Sequence, residues 1–416
     1  MSEPAVRHAD AAPSSADVVI IGGGIVGCAT AFFAARAGLD VVVLERRAAL
    51  GTLTTPASTG AFRLQFDNPE EIATVREGVE LFDAFAERTG LAGWDLGLRH
   101  GGYLFCSTTD ATIERSRSLV ARQREWGLHD VELLTGDEAR ARWPWLAPEV
   151  RGARYRAADG WLDVKRLTAG YATAASNASR IPDAVLGGGA RFVTRTSVES
   201  ILTDGGRVRG VRTTSGHIEA DAVIVAAGPF SARVAATAGV EIEIHPTRRQ
   251  KLVVPELPAV PPDAPMTIEE ETAAHWRPAM HGCLALFTDP AAGFGGEPLD
   301  PVPIEHDWAF GLLDPESPQA LARVAPFWRE VWANGAPSVH WFLQAGQYEY
   351  TPDRRPYLGP AGPEGLHLNA GYSGHGIMAG AGGSRLVVDL LTGRADPAAN
   401  PYRADRTLDQ REHDIL

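Results

Sequence analysis

Lysine is nearly absent from this chain: among 39 basic residues only Lys165 and Lys251 are lysines, so any lysine-dependent chemistry has two places to reside. Cysteine is almost as scarce. Cys28, Cys106 and Cys283 are odd in number and far apart, which offers neither a C-x-x-C pair nor a disulfide framework and suits a reducing compartment. Each reads as a small buried residue, and no metal site is expected. No apolar run approaches the roughly 20 residues that span a bilayer. Residues 1–15 are polar and proline-containing without the apolar core of a signal peptide, so they read as a disordered lead-in. Basic charge is also in deficit: 39 Lys and Arg against 52 Asp and Glu give a formal charge of -13, which argues against nucleic acid or an anionic membrane surface as a partner. There is no repeat of solenoid period and no heptad pattern. What these absences leave is a cytoplasmic protein of 416 residues, long enough for two domains that each bury a core.

The most informative stretch is Asp17 to Glu45. Asp17-Val18-Val19-Ile20-Ile21 is a short apolar run that fits a strand buried on both faces of a parallel sheet. Gly22, Gly24 and Gly27 then fill the positions of G-x-G-x-x-G: one for the turn, one for backbone approach to a pyrophosphate, one for packing helix on strand. Ile25 and Val26 open a small-residue helix running to Ala37, whose N-terminus would face the phosphates. A second apolar run, Val41 to Leu44, ends at Glu45, placed as an acceptor for a ribose hydroxyl. A lone glycine motif is weak in a chain with 44 glycines. Strand, turn, helix, strand and acid in this order make a dinucleotide cradle, with Arg46 beside it.

Beyond the cradle, Gly51 to Gly60 is a loop whose Thr54, Thr55, Ser58, Thr59 and Gly60 suit hydroxyl and backbone contacts to a cofactor. Glu70 to Thr89 carries a helical stripe. His100 to Phe105 reads as a strand and Asp110 to Trp126 as a solvated helix, the start of a second unit. Val164 to Asn177 is helical. Alternating apolar residues from Val193 through Val198 to Ile218 read as a meander, ending in a buried strand and Ala226-Ala227-Gly228, a second close backbone approach. From about Glu241, proline and tryptophan become frequent and a strand-containing second domain follows. Its Glu269-Glu270-Glu271 run reads as a solvated edge, and 289–314 as either a lid or a surface insertion. Near the C-terminus Gly371-Tyr372-Ser373-Gly374-His375-Gly376 opens a helix from Ile377 to Leu391, a second glycine-opened helix start.

These blocks together resemble the D-amino-acid oxidase superfamily of flavoenzymes, and within it the sarcosine oxidase, glycine oxidase and dimethylglycine dehydrogenase branch. The carriers are GGGIVG with Glu45, STGAFRLQF from Ser58, DGWLD from Asp159, VIVAAGPFS from Val223, HWRP from His275, and YTPDRRPYLGP with GYSGHGI. The resemblance implies an α/β plus α+β fold: a Rossmann-like FAD-binding domain of glutathione-reductase type and an antiparallel-sheet substrate domain. It implies FAD as cofactor, and division into 16–90, 150–235 and 342–400 for the FAD domain, 91–149 and 236–341 for the substrate domain, and a tail at 401–416. An amine or amino acid would lose a hydride to flavin N5, giving an imine that water hydrolyses, with oxygen or an electron carrier as final acceptor. Gly371, Gly374, His375, Gly376, Ile377 and Met378 would lie at the flavin, where His375 has a chemical role or else is merely held by its turn. Arg63 would add positive charge beside the ring, or else be a surface arginine on its loop.

Departures from the branch bear on chemistry. The cysteine that tethers flavin in the resembled sarcosine oxidases falls at Gly346, so FAD should be non-covalent. The branch's carboxylate-anchoring arginine and lysine fall at Phe66 and Met378, and an oxygen-promoting lysine at Ala285, which favours a dehydrogenase slightly over an oxidase. His275, Arg277, Gln347 and Tyr348 are left to hold substrate; His275 and Arg277 serve equally as sheet-surface residues, and Tyr348 as a core aromatic. Oxidation of a 2-hydroxy acid, or a non-catalytic flavin-binding assembly factor, are the alternatives.

Overall fold

The computed structural model describes residues 4–9, 11–288, 295–335 and 340–408. β1 (Ser15–Ile21), α1 (Ile25–Arg36) and β2 (Asp40–Leu44) form the expected unit. Parallel strands flank it in the order Leu366–Ala370, Gly216–Val225, β1, β2, Gly189–Val193, with Tyr357–Pro360 antiparallel at one edge and the Val198–Thr213 hairpin attached to Gly216–Val225. Because side chains alternate along a strand, both faces are apolar. Val18, Ile20, Val41, Val43 and Ile224 pack under α1, the helix Val164–Ser176 and the helix Gly376–Leu391, whereas Val19, Ile21, Val42, Leu44 and Val223 pack under the hairpin. The small residues of α1 let it approach both neighbouring helices, and ten of its twelve residues are buried.

A second eight-stranded sheet runs in the order Phe342–Tyr350, His245–Val254, Gly282–Leu286, His275–Ala279, Met266–Glu269, Tyr103–Ser107, Gly152–Arg156, Glu132–Thr135. Every pairing is antiparallel except Met266–Glu269 with Tyr103–Ser107. Its core gathers Trp276, Trp308 and Trp328, with Trp332 and Trp341 packed against it. The fold is thus a parallel-sheet unit plus a mostly antiparallel one, as the sequence implies.

Local details differ from the expectations at five places. Gly152–Arg156 and Phe342–Tyr350, assigned above to the FAD domain, hydrogen-bond into the second sheet. The lead-in is not loose where it is described: Ala9 N–H donates to Phe192 O, and Phe192 N–H donates to Arg7 O, extending the first sheet at its edge. The acidic run is no solvated edge, since Glu269 is fully buried with Arg323, and Glu270 accepts from Arg154, Ser107 and Ser116. Residues 289–294 lie outside the described part, but 295–307 forms a strap. Asp300 pairs with Arg46 (2.6 Å) and Arg47, and Leu299 N–H donates to Gln347. The tail also packs where described, with Tyr402 buried and Arg406 paired to Asp353.

Candidate cofactor and substrate cavity

Each glycine of the cradle does a different job. Gly22 adopts φ +113°, and a Cβ there would lie 2.3 Å from Ala226 O; at Gly27 it would lie 1.9 Å from Gly22 O. Both positions therefore serve backbone packing between β1, α1 and the Ala226 strand end. Gly24 differs. A Cβ there meets only Thr55 Oγ1, at 3.6 Å, and otherwise points into open space. That space is a cavity of about 440 Å3 lined by Gly22, Gly24, Ile25, Val26, Glu45 and Arg46.

The Glu45 carboxylate is held from both sides: Gly23 N–H donates to Oε2 and Arg47 N–H to Oε1, each at 2.8 Å. A carboxylate has lone pairs beyond these two bonds, so it can still accept from a ribose hydroxyl. Thr54, Thr55 and Ser58 line the cavity, as do Val198, Ala227 and Gly228. Thr59 and Gly60 do not. Thr59 O instead accepts from Arg277 Nε (2.8 Å) and Nη2, and Gly60 packs on Leu162 O.

At the far end, Gly374, Gly376 and Ile377 line the same cavity with Gln347 and Tyr348. First-turn N–H groups of a helix lack intrahelical acceptors, so this helix start can donate to a ligand. Gly371, His375 and Met378 stand outside the lining. His375 N–H donates to Tyr372 O, its ring packs on Phe66 (centroids 5.0 Å apart), and Nδ1 lies 3.7 Å from Glu71. Arg63 is buried behind the cavity against Phe66, Tyr103 and Phe105. His275 is close enough to Arg63 to feel its charge; burial, and then that charge, lower its pKa to about 4, so its ring is neutral at pH 7. Thus Arg63, Phe66, His275 and His375 form one cluster beside the cavity, not part of its wall.

Two expected substrate contacts are committed elsewhere. Arg277 spends its guanidinium on Thr59 O and Pro278 O. Gln347 lines the cavity, yet its amide accepts from Leu299 N–H (2.6 Å) and donates to Glu297 O (3.1 Å), tying down the strap. Tyr348 lines the cavity. Its ring covers Gly374, where an added Cβ would lie 2.5 Å from it, and burial raises its phenol pKa to about 12, so it is protonated at neutral pH.

Two lining residues with charged side chains, and the role of Lys251, escaped the sequence reading. Arg249 and Glu349 line the cavity. Glu349 takes backbone N–H bonds from Gly371 and Tyr372, and burial still raises its pKa to about 7. Its Oε2 is buried with no partner among the described residues. Lys251 is buried, and its ammonium donates to Pro56 O and Ser58 O at 2.7 Å each, clamping the loop that lines the cavity. The rarity of lysine marked Lys251. Strand alternation puts Arg249 on its face, a signal that was available.

A parallel sheet, a glycine turn with an acid-tipped strand beside it, and a second sheet closing the far end of one cavity define a two-sheet fold of dinucleotide-binding type. The chain belongs to the family described as FAD dependent oxidoreductase (DAO), whose model matches residues 17–390. It is 26% identical to human mitochondrial sarcosine dehydrogenase over 94% of this chain, and spans only 41% of that protein's length. It is also 26% identical to glycine oxidase of Pseudomonas aeruginosa, covering 92% of this chain and 97% of that one. Among solved structures, glycine oxidase from Geobacillus kaustophilus superposes with a TM-score of 0.77 at 24% identity, covering 95% of this chain and all of that chain. The family depends on FAD, and the cavity suits it: the open space at Gly24, the acid at Glu45, the orphaned Glu349 Oε2 and the helix start at Gly376 each offer a dinucleotide something to fill or to bond.

Proposed function

We propose that this protein oxidises the C–N bond of an amine or amino acid by hydride transfer to a non-covalently held FAD, giving an imine that water hydrolyses. The observation that carries the reading is one cavity that joins the Gly24–Glu45 cradle to the Gly376 helix start and to Tyr348. The protonated Tyr348 is a hydrogen-bond donor that orients a bound substrate. The helix start stabilises negative charge at the reacting end by its dipole and its N–H groups. His275, neutral at pH 7, adds no positive charge that would repel an amine. Non-covalent attachment is supported by Gly346, which packs against Ala57 and Thr54, and by the burial of all three cysteines at other places. Ala285, fully buried, stands where the resembled oxidases carry a lysine, which supports an acceptor other than oxygen.

The test is spectral. The purified protein should be yellow, and acid precipitation should release the flavin into the supernatant. Anaerobic addition of amines, amino acids and 2-hydroxy acids should bleach it with the first two classes only. Bleaching by hydroxy acids alone, or by none of the panel, overturns the proposal. Rapid re-oxidation in air with peroxide release would overturn the preference for a dehydrogenase.

A further inference from the structure

The arginines of the cavity wall are not equivalent. Arg46 and Arg47 share Asp300, and Arg233 pairs with Glu297. Arg249, on the strand His245–Val254 opposite Gly346, forms no ion pair with a carboxylate among the described residues. Its guanidinium lies beside two aromatic rings that contact each other, 5.5 Å from the Tyr348 centroid and 5.4 Å from that of Tyr350. Nη2 donates to Tyr350 Oη and Nη1 to Arg248 O, each at 3.0 Å, while Nε is buried without an acceptor among the described residues. The side chain is thus fixed in plane and direction at the cavity wall and has no carboxylate counter-ion among the described residues.

A cation set into a partly desolvated wall without an anion is costly, and a planar guanidinium with spare N–H groups matches a carboxylate. We propose that Arg249 anchors the carboxylate of the substrate, so that the amine oxidised is an amino acid; this rests on the amine-oxidation reading above. Tyr348, beside Arg249 and over Gly374, then lies between the anchored carboxylate and the helix start. Arg277 cannot take this role, being committed to Thr59 O and Pro278 O.

The test uses the FAD-loaded protein with acetate and propionate as probes, their amides as uncharged controls, and flavin absorbance as the readout. The acids should perturb the spectrum and the amides should not. Arg249→Met should keep its flavin and bind the acids about 10- to 100-fold more weakly, the range for losing a charge-assisted hydrogen bond. Arg249→Lys should fall between, retaining the charge without the fork. Anaerobic reduction should favour glycine over methylamine and proline over pyrrolidine in the wild type, and the variant should lose that preference. Unchanged acid binding in Arg249→Met overturns the proposal, as does equal reduction by amines and amino acids. Loss of flavin from both variants would assign Arg249 to the cofactor instead and overturn it too. The acid titration needs no turnover, so the two readings fail separately. A wild type that binds acetate through Arg249, yet is bleached by no amine or amino acid, refutes amine oxidation and supports an anchor for another acid.

Discussion

Among single residues, the glycines separate cofactor binding from folding. Gly24 has φ -75° and ψ -176°, open to any residue, and the space beyond it is cavity. Gly24→Val should therefore fold with a melting temperature close to that of the cofactor-free wild type and retain no FAD. Gly27→Val should fail differently, because its Cβ would sit 1.9 Å from Gly22 O; low soluble yield or an early melt is expected. Flavin content equal to wild type in Gly24→Val would contradict the cradle geometry. Lys251 gives a pH signature. Burial, then Arg277 and Lys165, lower its pKa from 10.5 to about 7. Between those values the unfolded chain holds a proton that the folded chain has released, so stability rises with pH. The contribution is full above the unfolded value and is lost as pH falls through about 7. Relative to Lys251→Met, the wild type should gain stability from pH 7 to pH 10 in urea denaturation; parallel curves would exclude the linkage. The motif glycines and Glu45 were legible because their roles are local to one turn and one strand end. Strand alternation could have placed Arg249 on its face, but the lack of a carboxylate counter-ion among the described residues is a property of folded neighbours and was not legible.

Strands and helices were legible where the period is strong. The helix expected over Asp110 to Trp126 is observed as Asp110–Glu125, and the helix expected from Ile377 runs over Gly376–Leu391. The Glu269-Glu270-Glu271 corner was misread for a physical reason: charge in a sequence looks solvated until its partners are known, and these come from distant elements. Arg154, fully buried on Gly152–Arg156, holds Glu270 Oε1 through Nε (3.0 Å) and Nη2 (2.9 Å), while Glu271 accepts from Thr108 N–H and Thr109 N–H at the start of the Asp110–Glu125 helix. The corner therefore joins the Met266–Glu269 and Gly152–Arg156 strands across Tyr103–Ser107. Removing one partner of a buried pair leaves an uncompensated charge, at a cost of about 3–5 kcal/mol. Glu270→Gln should lower the urea midpoint accordingly. Glu114→Gln, which breaks a pair whose side chains are 62% and 64% exposed, should shift it by less than about 1 kcal/mol. Equal small shifts in both would mean that the Arg154 pair adds nothing to the sheet.

At the scale of the whole molecule, the two sheets meet along the cavity, and the boundary drawn from sequence missed by two strands because Phe342–Tyr350 and Gly152–Arg156 belong by hydrogen bonding to one sheet while adjoining segments belong to the other. Phe342–Tyr350 ends at the cavity, carrying Gln347, Tyr348 and Glu349 to it. The strap draws the units together from outside. Glu297 O and Leu299 N–H engage Gln347, Glu305 N–H donates to Gln250 (2.6 Å), and Asp300 reaches across to Arg46 and Arg47, next to the cradle acid. Arg46 also covers the Phe230 ring at 3.8 Å. Because these three side chains are 23–34% exposed, each ion pair adds at most about 1 kcal/mol to folding. Their effect should appear in how long the cofactor stays. Asp300→Asn should leave the melting temperature of the cofactor-free protein nearly unchanged and speed FAD release about 5- to 30-fold at low ionic strength, the factor corresponding to loss of two such pairs. Raising salt should quicken the wild type more than the variant, since screening weakens only the pairs the wild type still has. Release can be followed by the fluorescence of flavin freed on dilution. Equal rates for the two proteins in low salt would show that the strap merely rests on the cradle and does not hold the cofactor in.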